Sequence, residues 1–180
     1  MRSARYRINK PVKQIGLISD SHGLLRPEIA FALNGVDLII HGGDIGKPEV
    51  LDGLREIAPV YAIKGNNDRE GWARKIPDVM TVTIGKLKLY VIHAVQDLDI
   101  DAAAAGFRAV VSGHSHKPSA VKRDGVLYIN PGSAGPRRFK LPVAVAKLHV
   151  AADGVIPELI DVFTGEALLV SNEQRKAESG

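Results

Sequence analysis

Seven side chains of the kinds that bind divalent cations lie at, or directly after, the ends of predicted strands. They are Asp20, His22, Asp44, Asn66, His93, His114 and His116. Carboxylate, imidazole and amide groups without sulfur suit hard or borderline divalent ions such as manganese, iron, cobalt, nickel, zinc or magnesium. The sequence contains no cysteine, so thiolate ligands and disulfides are excluded. The pattern predicts a metal centre with more ligands than a single ion uses.

Asp44 is the carboxylate best suited to lie between two metal ions. Two dications held about 3.5–4 Å apart repel each other and need a negative group between them, and they then hold the attacking and leaving oxygens of an in-line displacement. Asp44 follows Gly42 and Gly43, where the absence of side chains lets the backbone turn sharply and approach the ions. We therefore expect Asp44 to bridge two ions.

The first part of the chain alternates apolar strands with helical segments, which is typical of β-α-β units and a buried parallel sheet. Strands are predicted over residues 14–19, 37–41 and 60–64, and helices over 27–34 and 48–57. Each helix begins with a proline, which is favoured at the first helical position. The strands run into polar loops at their carboxyl ends, where open α/β sheets carry their ligands.

The second part of the chain is richer in strands. A hairpin is predicted from residues 79–84 and 87–93 around Gly85 and Lys86. An alanine-rich helix is predicted over 97–105, ended by Gly106. Further strands are predicted over 109–112, 120–122, 126–130, 143–150 and 156–162, with Asp124-Gly125 and Asp153-Gly154 as turns.

This number of strands favours two packed sheets over one small open sheet. We therefore expect an α/β (α+β) fold in which two sheets pack together and helices lie outside them. No linker separates the predicted elements, so residues 1–180 are expected to form a single domain. The polar residues 171–180 are expected to form a flexible tail.

Composition narrows the possible partners. The net charge is only +4 and aromatic residues make up 5% of the chain, so nucleic acid is not an expected partner. The basic run Arg2, Arg5, Arg7, Lys10 and Lys13 is interpreted as a solvated face. No apolar run reaches the roughly 18 residues of a membrane helix, and the N-terminus lacks a signal-peptide pattern, so a cytoplasmic protein without membrane contact is expected.

Several motifs in sequence order resemble those of the calcineurin-like metallophosphoesterase superfamily. The matching residues are Asp20-Ser21-His22, Gly43-Asp44, Gly65-Asn66-Asn67-Asp68, His93 and Gly113-His114-Ser115-His116. Asn130-Pro131-Gly132-Ser133 follows them, as in the small bacterial and archaeal phosphodiesterases of that superfamily. The resemblance implies a β-sandwich flanked by helices.

The resemblance also implies a ligand set and a reaction. One metal ion is assigned to Asp20, His22 and His116, the other to Asn66, His93 and His114, and Asp44 bridges the two. Two divalent ions per chain are expected, manganese first, with nickel, iron, cobalt, zinc or magnesium as alternatives. The implied activity is hydrolysis of a small phosphodiester, with a metal-bridging hydroxide as the nucleophile.

Asn67 departs from the superfamily pattern. Most members have histidine there, the residue usually assigned to phosphate binding and leaving-group protonation. An amide can donate a hydrogen bond to a phosphate oxygen, but it cannot act as a general acid. The neighbouring Asp68 is expected either to hold Asn67 or a water, or to stabilise the turn.

Other interpretations of these residues stay open. The loss of the histidine at Asn67 leaves a non-catalytic metal-binding scaffold of the retromer-subunit kind as the rival function, and a nuclease as a weaker one. His41 and His149 are interpreted as strand residues, with His41 a candidate to support the metal ligands. Arg137, Arg138 and Lys140 form either an anion-binding loop or a solvated one. Homo-oligomerisation is left open.

Overall fold

The computed structural model describes residues 1–152 and 154–169. The segment 171–180, expected to be flexible, lies outside the described residues, as does Asp153 of a predicted turn. The described residues form two α-helices, α1 (Pro27–Ala32) and α2 (Pro48–Arg55), and eleven strands. The strands are β1 (Ser3–Ile8), β2 (Gln14–Ile18), β3 (Leu38–His41), β4 (Val60–Ala62), β5 (Val79–Ile84), β6 (Leu87–Ile92), β7 (Ala109–Val111), β8 (Ser119–Arg123), β9 (Val126–Asn130), β10 (Ala144–Ala151) and β11 (Gly154–Asp161).

The strands form two sheets, as predicted. One sheet has five strands in the order β11-β10-β2-β3-β4, and the other has six in the order β1-β5-β6-β7-β9-β8. In the first sheet β2, β3 and β4 are parallel neighbours, while β10 and β11 extend it antiparallel. The predicted hairpin of β5 and β6 lies in the second sheet, where β6 is parallel to β7.

The continuous apolar run in strand β3 is explained by the burial of both of its faces. Leu38 and Ile40 point into the cluster between the two sheets, whereas Ile39 points to the opposite side and packs with Ile29 of α1 and Leu54 of α2. All five side chains are fully buried. A strand that is covered on both faces needs apolar residues at every position, so the sandwich with outer helices follows from the sequence pattern.

The predicted helix over 97–105 is wrong. A 3₁₀ helix covers Val95–Asp97, and residues 102–106 form a turn. The Ala105 N–H donates to the Asp101 carbonyl at 3.0 Å, but the next N–H, of Gly106, bonds to Ala103. Helix propensity is a weak signal that tertiary packing overrides. The apolar residues Ala102 and Phe107 instead cover the outer face of the six-stranded sheet.

Strand β1 was missed at the sequence level because its arginines were interpreted as a solvated face. Arg5 and Arg7 are indeed exposed, but Ala4, Tyr6 and Ile8 alternate with them and face the protein. The strand pairs in parallel with β5. Apolar alternation with a period of two was the signal that identifies such a strand.

Five loops meet in the region where the carboxyl ends of strands from both sheets lie. The loops that follow β2, β3 and β4 share one edge because these strands are parallel neighbours, and those after β6 and β7 leave the facing sheet in parallel. The seven predicted ligands lie on these loops. No helix in the described part of the chain is long and apolar enough to cross a membrane.

Candidate metal centre

Five of the seven predicted ligands have a left-handed backbone. The φ angle is 53° at Asp20, 47° at His22, 54° at Asp44, 68° at His114 and 60° at His116. Residues other than glycine seldom adopt positive φ. Such conformations persist where surrounding contacts fix them, and they concentrate at functional sites. The backbone of these loops is therefore shaped to direct particular side chains.

Hydrogen bonds join the ligand loops directly to each other. The Asp20 N–H donates to the Gly43 carbonyl and the His22 N–H donates to the Asp44 carbonyl, both at 2.9 Å. The His114 N–H donates to the Asp20 carboxylate at 3.0 Å. Loops from both sheets are thus held in one unit, and they cannot move independently without breaking these bonds.

Two glycines allow the loops to approach this closely. A Cβ at Gly43, where φ is 98°, would lie 2.7 Å from His93 Nδ1 and 2.8 Å from the Gly65 nitrogen. A Cβ at Gly65 would collide with the Asp44 carboxylate. The backbone at Gly43 thus closely approaches the loop after β4, while its expected approach to metal ions stays a prediction.

The first predicted ligand set, Asp20, His22 and His116, is brought together around one point. Its ligand atoms all lie within 4.8 Å of one another. His116 Nε2 is 3.2 Å from Asp20 Oδ1 and 3.3 Å from His22 Nε2. Asp20 is fully buried and His116 nearly so. The set forms the inner part of the centre.

The second predicted set, Asn66, His93 and His114, lies beside the first. Asn66 Oδ1 is 3.2 Å from His114 Nδ1, and the rings of His93 and His114 are 5.2 Å apart. The His93 Nδ1–H donates to the Gly42 carbonyl at 2.8 Å, which leaves the lone pair of Nε2 available to a cation. Asn66 and His114 are exposed, whereas His93 is buried, so this set faces the solvent.

Asp44 lies between the two sets. Its Oδ2 atom is 4.0 Å from Nε2 of His22 in the first set and 3.5 Å from Nε2 of His93 in the second. The backbone N–H of Asn67 donates to Asp44 Oδ1 at 2.9 Å, and its amide Nδ2 donates to Oδ2 at 2.6 Å. Asn67 therefore orients the central carboxylate.

Asp68 holds two ligand loops together, a role that the sequence left undecided. Its buried carboxylate accepts hydrogen bonds from the backbone N–H groups of Ile45 at 3.0 Å, Gly46 at 2.8 Å and Gly65 at 2.8 Å. The bond from Gly65 stabilises the turn itself, and the other two reach the loop after β3. Asp68 thus stabilises the turn and also joins it to the Asp44 loop.

His41 supports the centre from inside the protein. The Gly43 N–H donates to its Nδ1 at 3.1 Å, so the proton of the neutral ring is on Nε2, which donates to Ser21 Oγ at 2.9 Å. The Ser21 hydroxyl then donates to the Ile45 carbonyl at 3.0 Å. Burial lowers the pKa of His41 to about 3, so a neutral imidazole links the loops after β2 and β3.

The charges of the centre interact strongly. Burial raises the pKa of Asp20, and the Asp44 carboxylate adds to this effect. Burial also opposes ionisation of Asp44, but His93 and the hydrogen bonds from Asn67 outweigh it and hold the pKa of Asp44 well below its ordinary value. Burial alone would lower the pKa of His93, yet the Asp44 carboxylate and the Gly42 carbonyl raise it. The site concentrates negative charge that favours a cation.

A cavity and a basic loop adjoin the centre. The cavity, about 230 Å³ in volume, reaches Asn66, His93 and His114 and is bordered by apolar side chains such as Ile92 and Ala94. The loop of Arg137, Arg138 and Lys140 begins just after Ser133, whose hydroxyl donates to the Asp20 carbonyl at 2.9 Å. His149 lies apart, on β10, where it pairs with Glu158 at 2.8 Å.

Sequence comparison agrees with this arrangement. Residues 14–153 match the profile of the calcineurin-like phosphoesterase superfamily domain. A probable metallophosphoesterase of Methanocaldococcus jannaschii is 36% identical over 145 residues, which cover 76% of this chain and 75% of that protein.

Solved structures share the fold. A structure described as a novel archaeal phosphodiesterase has a TM-score of 0.68 and 26% identity, with 82% of this chain and 99% of that chain covered. Wild-type Vps29 of Entamoeba histolytica in complex with zinc has a TM-score of 0.69 and 20% identity, with 86% and 96% covered. The profile match extends over most of the chain and includes every predicted ligand, so this chain belongs to the calcineurin-like metallophosphoesterase superfamily.

Proposed function

We propose that this chain is a phosphodiesterase that uses two divalent metal ions, with Asp20, His22 and His116 as ligands of one, Asn66, His93 and His114 as ligands of the other, and Asp44 shared. One observation carries the proposal. A single oxygen, Asp44 Oδ2, is 4.0 Å from the His22 imidazole and 3.5 Å from the His93 imidazole, one from each set. A carboxylate between two ligand groups is the arrangement that a two-metal site requires.

The side chains present fit divalent ions. Asp20 Oδ1 and His93 Nε2 are buried and have no hydrogen-bond partner among the described residues. Buried polar atoms normally have a partner, and a buried carboxylate normally has a compensating cation. The donors are carboxylate, imidazole and amide groups, so hard or borderline ions suit them, with manganese as the first choice.

The chemistry that two bound ions supply is neutralisation of charge on the phosphoryl oxygens and acidification of water. The chain itself supplies the positioning. Asn67 orients Asp44 through two hydrogen bonds, and His41 holds the backbone of Gly43. A primary amide is no acid at neutral pH, so Asn67 leaves a departing alkoxide unprotonated. Esters with acidic leaving groups are therefore the favoured substrates.

Similarity to a solved phosphodiesterase supports hydrolysis of diesters in preference to monoesters. The archaeal structure that shares 26% identity over 82% of this chain is described as a phosphodiesterase.

The test begins with metal-stripped protein that is reloaded with manganese, nickel, iron, cobalt, zinc or magnesium in turn. Bis(4-nitrophenyl) phosphate and 4-nitrophenyl phosphate are compared as substrates. We expect metal-dependent turnover with a higher kcat/KM for the diester, and metal analysis giving two ions per chain in the active form. One ion per chain at full activity, or a clear preference for the monoester, contradicts the proposal.

A metal-binding scaffold is the second candidate, because Asn67 replaces a proton donor and because the Vps29 fold matches with a TM-score of 0.69. A scaffold binds ions without turnover. Two bound ions with no hydrolysis of either ester, under any of the six metals, would therefore favour the scaffold.

A further inference from the structure

The cavity of about 230 Å³ beside the metal centre opens onto one of the two predicted ligand sets. Its lining includes Asn66, His93 and His114, which are all three members of the second set. Asn66 and His114 are exposed, whereas Asp20 of the first set is fully buried. A ligand from solution therefore reaches the centre from the side on which the cavity lies, and an organic group attached to it has space there.

Apolar side chains form a further part of the cavity wall. Val79 and Ile92 are directly paired neighbours on β5 and β6, and Ala94 follows His93 in the loop after β6. All three are buried, with at most 9% of their surface exposed. Val79 and Ile92 also belong to the apolar cluster on the outer face of the six-stranded sheet. Core packing therefore holds this wall in place, and it offers a ligand dispersion contacts.

Two charged side chains of the wall compensate each other. Lys64 Nζ is 3.3 Å from Asp78 Oδ1, and Asp78 Oδ2 accepts a hydrogen bond from the backbone N–H of Arg2. Both oxygens of Asp78 thus have a partner, and the ammonium group of Lys64 has a carboxylate. Asp97 also borders the cavity, but its side chain is exposed, where water and salt screen its charge. The wall therefore favours an uncharged ligand group over an ionic one.

The volume of the cavity limits the size of that group. An apolar cavity of about 150 Å³ holds a benzene molecule, whereas pockets for drug-sized molecules begin at about 300 Å³. The cavity beside the centre, at about 230 Å³, lies between these values. It therefore suits one aromatic ring or one branched alkyl group.

We infer that this cavity is the subsite for one ester group of the phosphodiester, and that it selects an uncharged, apolar group about the size of an aromatic ring. The inference rests on the proposed function, because it names the substrate class of the same centre. A diester carries two organic groups, and a phosphate held beside His93 and His114 leaves space for one of them in the cavity. Burial of that group against Ile92 and Ala94 contributes affinity that a methyl group is too small to provide.

The test measures the binding of phosphonates, which are not hydrolysed, to the metal-loaded full chain by calorimetry. Methylphosphonate and phenylphosphonate carry the same anionic group and differ only in the organic group, so leaving-group chemistry does not enter. We expect phenylphosphonate to bind at least about tenfold more tightly, because several more carbon atoms are buried. Equal affinities would overturn the inference.

A second pair of probes tests the preference for an uncharged group. 3,3-Dimethylbutylphosphonate and 2-(trimethylammonio)ethylphosphonate have nearly the same shape, but only the second carries a cation in its organic group. We expect the neutral compound to bind at least about fivefold more tightly, because the cation loses hydration against an apolar wall. Equal or tighter binding of the cationic compound would overturn the assignment of an uncharged group.

Ala94→Leu is the variant that fills the cavity. Its larger side chain should reduce the preference for phenylphosphonate over methylphosphonate to under about threefold, because the ring loses its space. Ala104→Leu adds the same atoms to an exposed alanine in the turn over 102–106 and should keep the wild-type preference. Thermal unfolding checks that both variants fold, and the wild-type comparisons decide if Ala94→Leu does not. An unchanged preference in folded Ala94→Leu would place the ring elsewhere and overturn the inference.

The outcomes separate this inference from the proposed function. If bis(4-nitrophenyl) phosphate is hydrolysed but the two phosphonates bind equally, the subsite is wrong and the phosphodiesterase stands. If phenylphosphonate is preferred but neither nitrophenyl ester is hydrolysed, the subsite stands on a non-catalytic centre and the proposed function fails. If neither phosphonate binds to the metal-loaded protein, the inference is overturned whether or not the esters are hydrolysed.

Discussion

Removal of the Asp68 carboxylate tests whether the loops of the centre are joined by this one side chain. Asp68 accepts hydrogen bonds from the backbone N–H groups of Ile45, Gly46 and Gly65 at 2.8–3.0 Å, and these residues belong to two different loops. Asp68→Ala removes all three acceptors. Asp68→Asn keeps the shape, but turns an N–H donor toward at least one of the three backbone donors.

The magnitude follows from the burial of the donors. A buried donor without a partner costs about 1–3 kcal/mol. Ile45 is fully buried, whereas Gly46 and Gly65 are half-buried and can gain water, so the low end of the range applies. We expect Asp68→Ala to lower the free energy of unfolding by about 3 kcal/mol, which corresponds to roughly 6–12 °C in Tm for a chain of this size. Asp68→Asn should cost about 1–2 kcal/mol, the price of one mismatched pair.

The assay is denaturant unfolding of the metal-free variants, followed by metal titration. Asp52→Ala is the matched control, because Asp52 forms an exposed pair with Arg55 at 2.6 Å and such pairs contribute at most about 1 kcal/mol. Since Asp68 positions the Asp44 loop, Asp68→Asn should also weaken metal binding by about 10- to 100-fold. If Asp68→Ala unfolds like Asp52→Ala, the three hydrogen bonds do not hold the loops and the reasoning is refuted.

Three further predictions concern the centre. Asp44→Ala should abolish turnover and weaken both metal sites. His149→Ala should leave activity nearly intact, because His149 pairs with Glu158 away from the centre. Equal losses of activity in the two variants in steady-state assays would contradict the ligand assignment. Asn67→His should flatten the dependence of rate on leaving-group pKa, with gains for alkyl esters of up to roughly 10²-fold. The same substitution removes the hydrogen bond from the Asn67 side chain to Asp44. Identical slopes for wild type and Asn67→His across a series of leaving groups would show that the proton has another source. Because the folded-state pKa of His41, about 3, is below the ordinary 6.5, the unfolded chain binds the extra proton between these values, and stability falls as the pH drops from 6.5. The titration of His41 should lower the free energy of unfolding of the metal-free protein by about 2 kcal/mol between pH 6.5 and 5. His41→Asn keeps an acceptor for the Gly43 N–H and should reduce that loss. An unchanged pH dependence of stability in His41→Asn would contradict this role of His41.

A metal-binding scaffold and an enzyme both require positioned ligands, such as the Asp44 carboxylate that Asn67 orients through two hydrogen bonds. Turnover of the two esters therefore separates the two functions.

The sequence by itself determined the two-sheet fold and the positions of the predicted ligands along the chain. Continuous apolar runs such as β3 predict strands that are buried on both faces. Polar residues that follow parallel strands meet at one edge of the sheet, so Asp20 and Asp44 are expected to be neighbours from their place in the chain alone. The helix predicted over 97–105 was wrong because alanine content is a weak signal of helix that tertiary packing overrides.

Only the tertiary structure decided what holds the centre in place. The hydrogen bonds of Asp68 and His41 connect loops that are about 20 residues or more apart in sequence, and no local pattern encodes a bond between two such loops. The same is true of Asp44, whose position between His22 and His93 depends on how the two sheets pack. Local sequence determines which side chains leave a strand end, whereas distances between strand ends are set by packing across the whole core.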